Sequence, residues 1–198
     1  MANRREFIQG SVAMAVAVAA APGMSVFAAV PAPMDLYKVV FDQRFSACRT
    51  FGAEAKRLGA SVHGVSGDIT DLWYHDLYYR WRQSPAAIAG MTRHSSLFGL
   101  EMMAGDVGMR VIYRAHHRPG QNGAITHEVF GPSAAQRRQA ELRGPEADWS
   151  RTAANIVMTW PADMTAISKA QSNIAGADQK RVGSETLISW IIAPVRRI

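Results

Sequence analysis

Leu36-Tyr37-Lys38-Val39-Val40-Phe41 is a mostly apolar run that ends in the polar Asp42-Gln43-Arg44. Such a run, bounded by turn-forming residues, reads as a strand. A helix pattern follows, with Phe45, Cys48, Phe51, Ala55 and Leu58 on one face and Gly59 placed to end it. Ser61 to Val65 reads as a second short strand that ends in Ser66-Gly67-Asp68. Thr70 to Arg82 carries Trp73, Leu77 and Trp81 four apart, a helical spacing that Asp68 or Thr70 can cap. Pro85 stops that helix, and Ala86 to Met91 reads as a third strand. A third helix, with Leu97, Leu100, Ala104 and Val107 in register, is closed by Gly108 before a fourth strand at Met109 to Tyr113. Strands alternating with helices of this length imply parallel pairing. The expected fold class is therefore α/β: a three-layer, mostly parallel, Rossmann-like or flavodoxin-like sheet.

Beyond Tyr113 the pattern changes. Arg118 to Gly123 reads as a turn, and Ala124 to Phe130 as an antiparallel strand returning from it. Pro132 to Leu142 looks helical and polar. Asp148 to Trp160 is a better helix, with Trp149, Ala153, Ile156, Val157 and Trp160 on one side. Pro161 to Ser184 is poorly patterned, and Leu187 to Ile192 is a strong last strand that Pro194 ends. A C-terminal hairpin and helices thus complete the expected sheet.

In open α/β sheets ligands bind outside the carboxyl ends of the strands. That rule selects Asp42, Arg44, Asp68, Gly90, Thr92, His94, Ser95 and Ser96. Gly90 to Ser96 combines a glycine that lets backbone approach a ligand, several hydroxyls, Arg93 and the free N–H groups of a helix start, which together suit an anion. Gly90, Thr92, Ser95 and Ser96, with Arg44, are the expected ligand-binding residues. Thr92, Ser95 or Ser96 could equally serve as helix caps. Asp42, Asp68 and His94 are the expected proton-handling residues, because two carboxylates after neighbouring strands can share a site and push one pKa up. Capping by Asp68, or pairing of Asp42 with Arg44, is the plainer alternative. His116-His117 and His127 form the histidine cluster. Adjacent strand residues face opposite ways, so at most one of the pair can join His127. No metal site is expected there. Tyr74 and Tyr78 are four apart and suggest an exposed aromatic strip.

The chain carries 22 Lys and Arg against 16 Asp and Glu. The basic residues are mostly arginine, with no long block of like charge. Cys48 is the only cysteine, so the chain has no internal disulfide and depends on packing. It falls on the apolar face of its helix and reads as a structural thiol. No G-x-G-x-x-G and no P-loop spacing occurs.

Asn3-Arg4-Arg5-Glu6-Phe7-Ile8-Gln9 precedes a short Ala/Val/Met run from Val12 to Ala21. This resembles the twin-arginine (Tat) export signal. Val26-Phe27-Ala28 offers a cleavage site after Ala28, leaving residues 29–198 as one domain. The alternatives are an uncleaved N-terminal anchor or a chance arginine pair. The resemblance implies export in a folded state through the Tat translocase and a periplasmic location. In that location an anionic small molecule or a periplasmic protein is the expected partner, and nucleic acid is not. The apolar run is too short to span a membrane stably. Two functions fit: a small-molecule binding or catalytic protein of undefined reaction, or a non-catalytic accessory subunit of a periplasmic enzyme. The sequence names no cofactor.

Overall fold

The computed structural model describes residues 32–120, 124–143, 148–162 and 186–195. The signal-like segment over residues 1–28, Arg196-Arg197 and most of the poorly patterned stretch before β6 lie outside the described residues. β1 (Leu36–Asp42), α1 (Ser46–Arg57) and β2 (Val62–Val65) come first in the chain. α2 (Thr70–Leu72), a π-helical turn (Trp73–Leu77) and α3 (Tyr78–Gln83) then form one continuous helical segment. β3 (Ala87–Arg93), α4 (His94–Asp106) and β4 (Met109–Pro119) complete the alternation. β5 (Ile125–Phe130), α5 (Ser133–Arg137) with a 3-10 turn (Arg138–Arg143), α6 (Trp149–Met158) and β6 (Leu187–Pro194) follow.

Local chemistry explains the boundaries. α1 buries Cys48, Phe51 and Ala55 along one stripe and carries Lys56 and Arg57 in its last turn, where cations suit the carbonyl end. Gly59 follows at φ 96°, a conformation that only glycine adopts without strain. α6 starts on Asp148, whose side chain accepts a hydrogen bond from the Ser150 N–H. The π-helical turn inserts an extra residue into the second helical segment and changes its buried stripe. Leu72, Leu77 and Trp81 face the core, while Trp73 is only half-buried. The same shift makes Tyr74 and Tyr79 the exposed pair, and Tyr78 is half-buried.

The class is α/β, but the sheet is not the mostly parallel Rossmann-like or flavodoxin-like sheet expected. It is mixed, with six strands in the order β2-β1-β3-β6-β4-β5. Only β1–β2 and β1–β3 pair in parallel. The pairs β3–β6, β4–β6 and β4–β5 are antiparallel. The overturning feature is β6, which inserts between β3 and β4. Its residues from Leu187 to Ala193 are all buried, so it needs cover on both faces and a place in the middle of the sheet. Local pattern identifies such a strand but carries no information about its neighbours.

The pairings leave β1, β2, β3 and β4 pointing the same way, so their carboxyl ends share one edge. Helices cover both faces. One core joins Phe51 and Ala55 of α1 and Ile156 and Val157 of α6 to Val39, Met91, Tyr113 and Ile191 of the sheet. The other joins Leu72, Leu77, Trp81, Leu97 and Leu100 to Val40, Ile88, Trp190 and Ile192. Among the described residues no helix is long and apolar enough to cross a membrane.

Candidate site at the strand ends

Asp42 ends β1 and is fully buried. Arg44, two residues on, forks onto it: Nε donates to Oδ1 at 2.9 Å and Nη2 to Oδ2 at 2.7 Å. The Arg44 backbone N–H adds a longer bond to Oδ1 at 3.2 Å. This fork raises the Arg44 pKa above its ordinary value. Gly67, in the β2–α2 loop, lies against the same guanidinium at φ 91°, and a Cβ there would collide with it. Gly67→Ala is therefore expected to dislodge Arg44 from Asp42 and to lower stability by roughly 2 kcal/mol. Thermal melts check this. Arg44→Ala added to Gly67→Ala should then cost much less than Arg44→Ala alone.

Asp68 is exposed and committed elsewhere. Its Oδ1 accepts the Thr70 hydroxyl at 2.6 Å and the Thr70 N–H at 2.8 Å. Those bonds, the side-chain one first, hold its carboxyl below the usual range. Asp42 and Asp68 thus each serve a local structure, a buried ion pair and a helix start. Their geometry is not that of a shared acid–base pair with one raised carboxyl.

Three of the five expected ligand-binding residues serve the framework. Gly90 sits between β1 and β6, where a Cβ would strike the Val40 carbonyl and the Trp190 ring. Thr92 is buried, donates to the Arg93 carbonyl at 3.0 Å and accepts the Trp190 indole N–H at 3.1 Å. Ser96 is buried and donates to the Gly67 carbonyl at 2.9 Å, tying the start of α4 to the β2–α2 loop. Ser95 and Arg44 are the exposed members of the five.

The remaining edge is cationic. The guanidinia of Arg44 and Arg93 lie over the Phe45 ring at 5.5 Å and 6.0 Å from its centroid. Arg93 is half-buried and has no carboxylate partner among the described residues. It is also the residue before α4, whose first turn has no side-chain cap. His94 stacks on Phe98 and lies near enough to His116 for its charge to weigh on that ring. His116 is buried against Phe130 and receives Arg118 at 3.1 Å on Nδ1. Burial first, then Arg114 and Arg118, push His116 down to about 4.

His117 faces the opposite side of the sheet. It pairs directly with His127 across β4–β5, Nδ1 to Nδ1 at 2.8 Å, and its Nε2 meets the Ser189 hydroxyl at 2.9 Å. The Trp149 ring covers both imidazoles. Of the adjacent pair, His117 is the one that joins His127, straight across the β4–β5 ladder. Burial and the neighbouring histidines hold His117 well below its usual pKa. No group of three or more His, Cys, Asp or Glu among the described residues is arranged to hold a metal. Cys48 is buried, and burial pushes its thiol up to about 12, as a structural thiol requires.

The sequence reading missed Asp76. From the π-helical turn it accepts the Tyr37 hydroxyl at 2.5 Å and pairs with Lys38, tying that turn to β1. The π-helical turn, a feature without a local sequence signature, creates this cluster. No family model, curated protein or solved structure matches this chain.

Proposed function

We propose that this is an exported α/β protein that binds a small anionic molecule where β1 to β4 end, with His94 handling a proton there. The observation that carries this reading is Arg93. An arginine with no carboxylate partner among the described residues sits directly before a 13-residue helix whose first turn has no side-chain cap. Backbone donors and the positive end of the helix dipole favour an anion at that spot. His94 and the exposed Ser95 follow it in the chain, and the Arg93 guanidinium lies over the Phe45 ring at 6.0 Å from its centroid. Export rests on the resemblance of Arg4-Arg5 and the following apolar run to a twin-arginine signal.

Arg93→Ala is expected to weaken binding of inorganic phosphate or small carboxylates about tenfold or more while leaving the melting temperature nearly unchanged. Isothermal titration calorimetry against phosphate, citrate and acetate checks this. Undiminished binding by the variant would sink the reading.

A second reading, an accessory subunit of a periplasmic enzyme, is favoured by one observation. Among the described residues Tyr74 (61%), Tyr79 (60%), Met102 (61%) and Phe98 (43%) are the large apolar side chains left exposed, and all four lie on α4 or the second helical segment. Single exposed apolar residues are ordinary, but several on helices that cover the same sheet face suit a protein partner. Loss of a co-purifying protein on replacing Tyr74 and Tyr79 would support it over the first reading.

A further inference from the structure

α1 and α6 lie side by side on one face of the sheet and flank an open groove of about 400 Å³. It is lined by Arg49, Thr50, Ala53, Glu54, Arg57 and Arg151. We propose that this groove binds a small multivalent oxyanion, in class a phosphate ester or pyrophosphate, independently of Arg93.

Arg49, Ala53 and Arg57 are four apart and share one stripe of α1, with a small residue between two guanidinia. Arg151 faces them from the first turn of α6. One buried carboxylate organises the group. Glu54 accepts Arg57 Nε at 3.0 Å and Nη2 at 2.7 Å, and lies 3.7 Å from Arg151 Nη1. Asn155 adds a bond to the same carboxylate at 3.4 Å. Arg49 is held separately, donating to the Gln43 carbonyl at 2.7 Å. The three arginines thus line one groove with a single carboxylate in its lining, Asp148 taking Arg151 Nε from outside it at 3.3 Å, and each guanidinium keeps donors that these bonds do not use. Arginine forks match phosphate oxygens two at a time. The groove is open to solvent, so it suits a small charged group held by the arginines at its walls.

The test is calorimetry of the full chain with inorganic pyrophosphate at low ionic strength, in an Arg93→Ala background that removes the strand-end site. The double variant Arg49→Ala/Arg151→Ala is expected to bind about tenfold or more weakly, with an unchanged melting temperature. Arg80→Ala/Arg82→Ala changes the net charge equally at a distance and should leave affinity within about twofold. Citrate, compared with pyrophosphate, distinguishes carboxylate from phosphate as the preferred chemistry. Equal losses in the two double variants would show attraction to net charge alone and overturn the proposal. So would retention of affinity in Arg49→Ala/Arg151→Ala. If pyrophosphate binding survives Arg93→Ala and is lost with Arg49 and Arg151, the groove site stands whatever becomes of the strand-end reading.

Discussion

Gly90→Ala is expected to abolish the native fold or to cost on the order of 3 kcal/mol or more, at the upper end of overpacking effects. Gly90 pairs with Val40 on one side and with Trp190 on the other, at the centre of the sheet. A Cβ there would meet the Val40 carbonyl oxygen and would stand 2.5 Å from Cζ2 and 2.9 Å from Cε2 of Trp190. The carbonyl belongs to backbone fixed by the sheet, so it cannot give way. The Trp190 ring is fully buried and anchored through its N–H to Thr92, so it has no room to swing aside. Relief requires β1 and β6 to move apart, which breaks the pairing that defines the mixed sheet. Urea unfolding measures the loss. The same change at Gly105, in α4 with only Arg110 Nη1 nearby at 3.7 Å, provides the contrast. There alanine is expected to stabilise by about 0.5–1 kcal/mol, because helical glycine carries a larger entropy cost. A Gly90→Ala protein of full stability would contradict the placement of β6 beside β3.

Acidification from pH 7 to 4.5 is expected to remove several kcal/mol of stability, before most carboxylates take up protons. His116 has a native pKa pushed down to about 4, and His117 is held well below its ordinary 6.5. In the unfolded chain both take protons near 6.5. Between those values the unfolded state binds more protons than the native one, so stability rises with pH and is lost as pH falls. His116 alone carries about 3 kcal/mol across the whole interval to its native pKa. Its rise occupies the range below pH 6.5, while Asp and Glu act lower. His117 adds to the same window through burial beside His127. On the alkaline side the sign reverses. Cys48 and Tyr113, each pushed up to about 12 by burial, favour the native state until pH climbs past their ordinary values. Urea melts at a series of pH values should trace a dome with its plateau near neutrality. Replacing His116 with leucine should flatten the acid limb. A flat profile from pH 7 to 5 would contradict the burial of these histidines.

Much of the element order was legible in the sequence, because hydrophobic period and punctuation are local signals. Phe51 and Ala55, Leu97 and Leu100, and the Leu187–Ile192 run all fall in elements of the expected type. Strand order was not legible. Nothing within Leu187–Pro194 states that it must lie antiparallel between β3 and β4, because the residues that select its place, Ile188, Trp190 and Ile192, act through partners far along the chain. The π-helical turn was also hidden, since Trp73-Leu77-Trp81 obeys an ordinary helical spacing that one inserted residue then breaks. At the strand ends, the local chemistry of the residues did not reveal their structural roles. Gly90, Thr92 and Ser96 have the chemistry of ligand residues and the surroundings of structural ones, and only burial separates the two. Arg93 stands out because no carboxylate among the described residues pairs with it, which is a property of three-dimensional surroundings and not of sequence.

Inorganic phosphate is expected to bind at the start of α4 beside Arg93. Titrating inorganic phosphate into isotope-labelled protein while following backbone amide resonances tests it residue by residue. Saturable shifts of the His94, Ser95 and Ser96 amides, abolished by Arg93→Ala, are the predicted result. Amides in that turn that stay unmoved at saturating phosphate would contradict it.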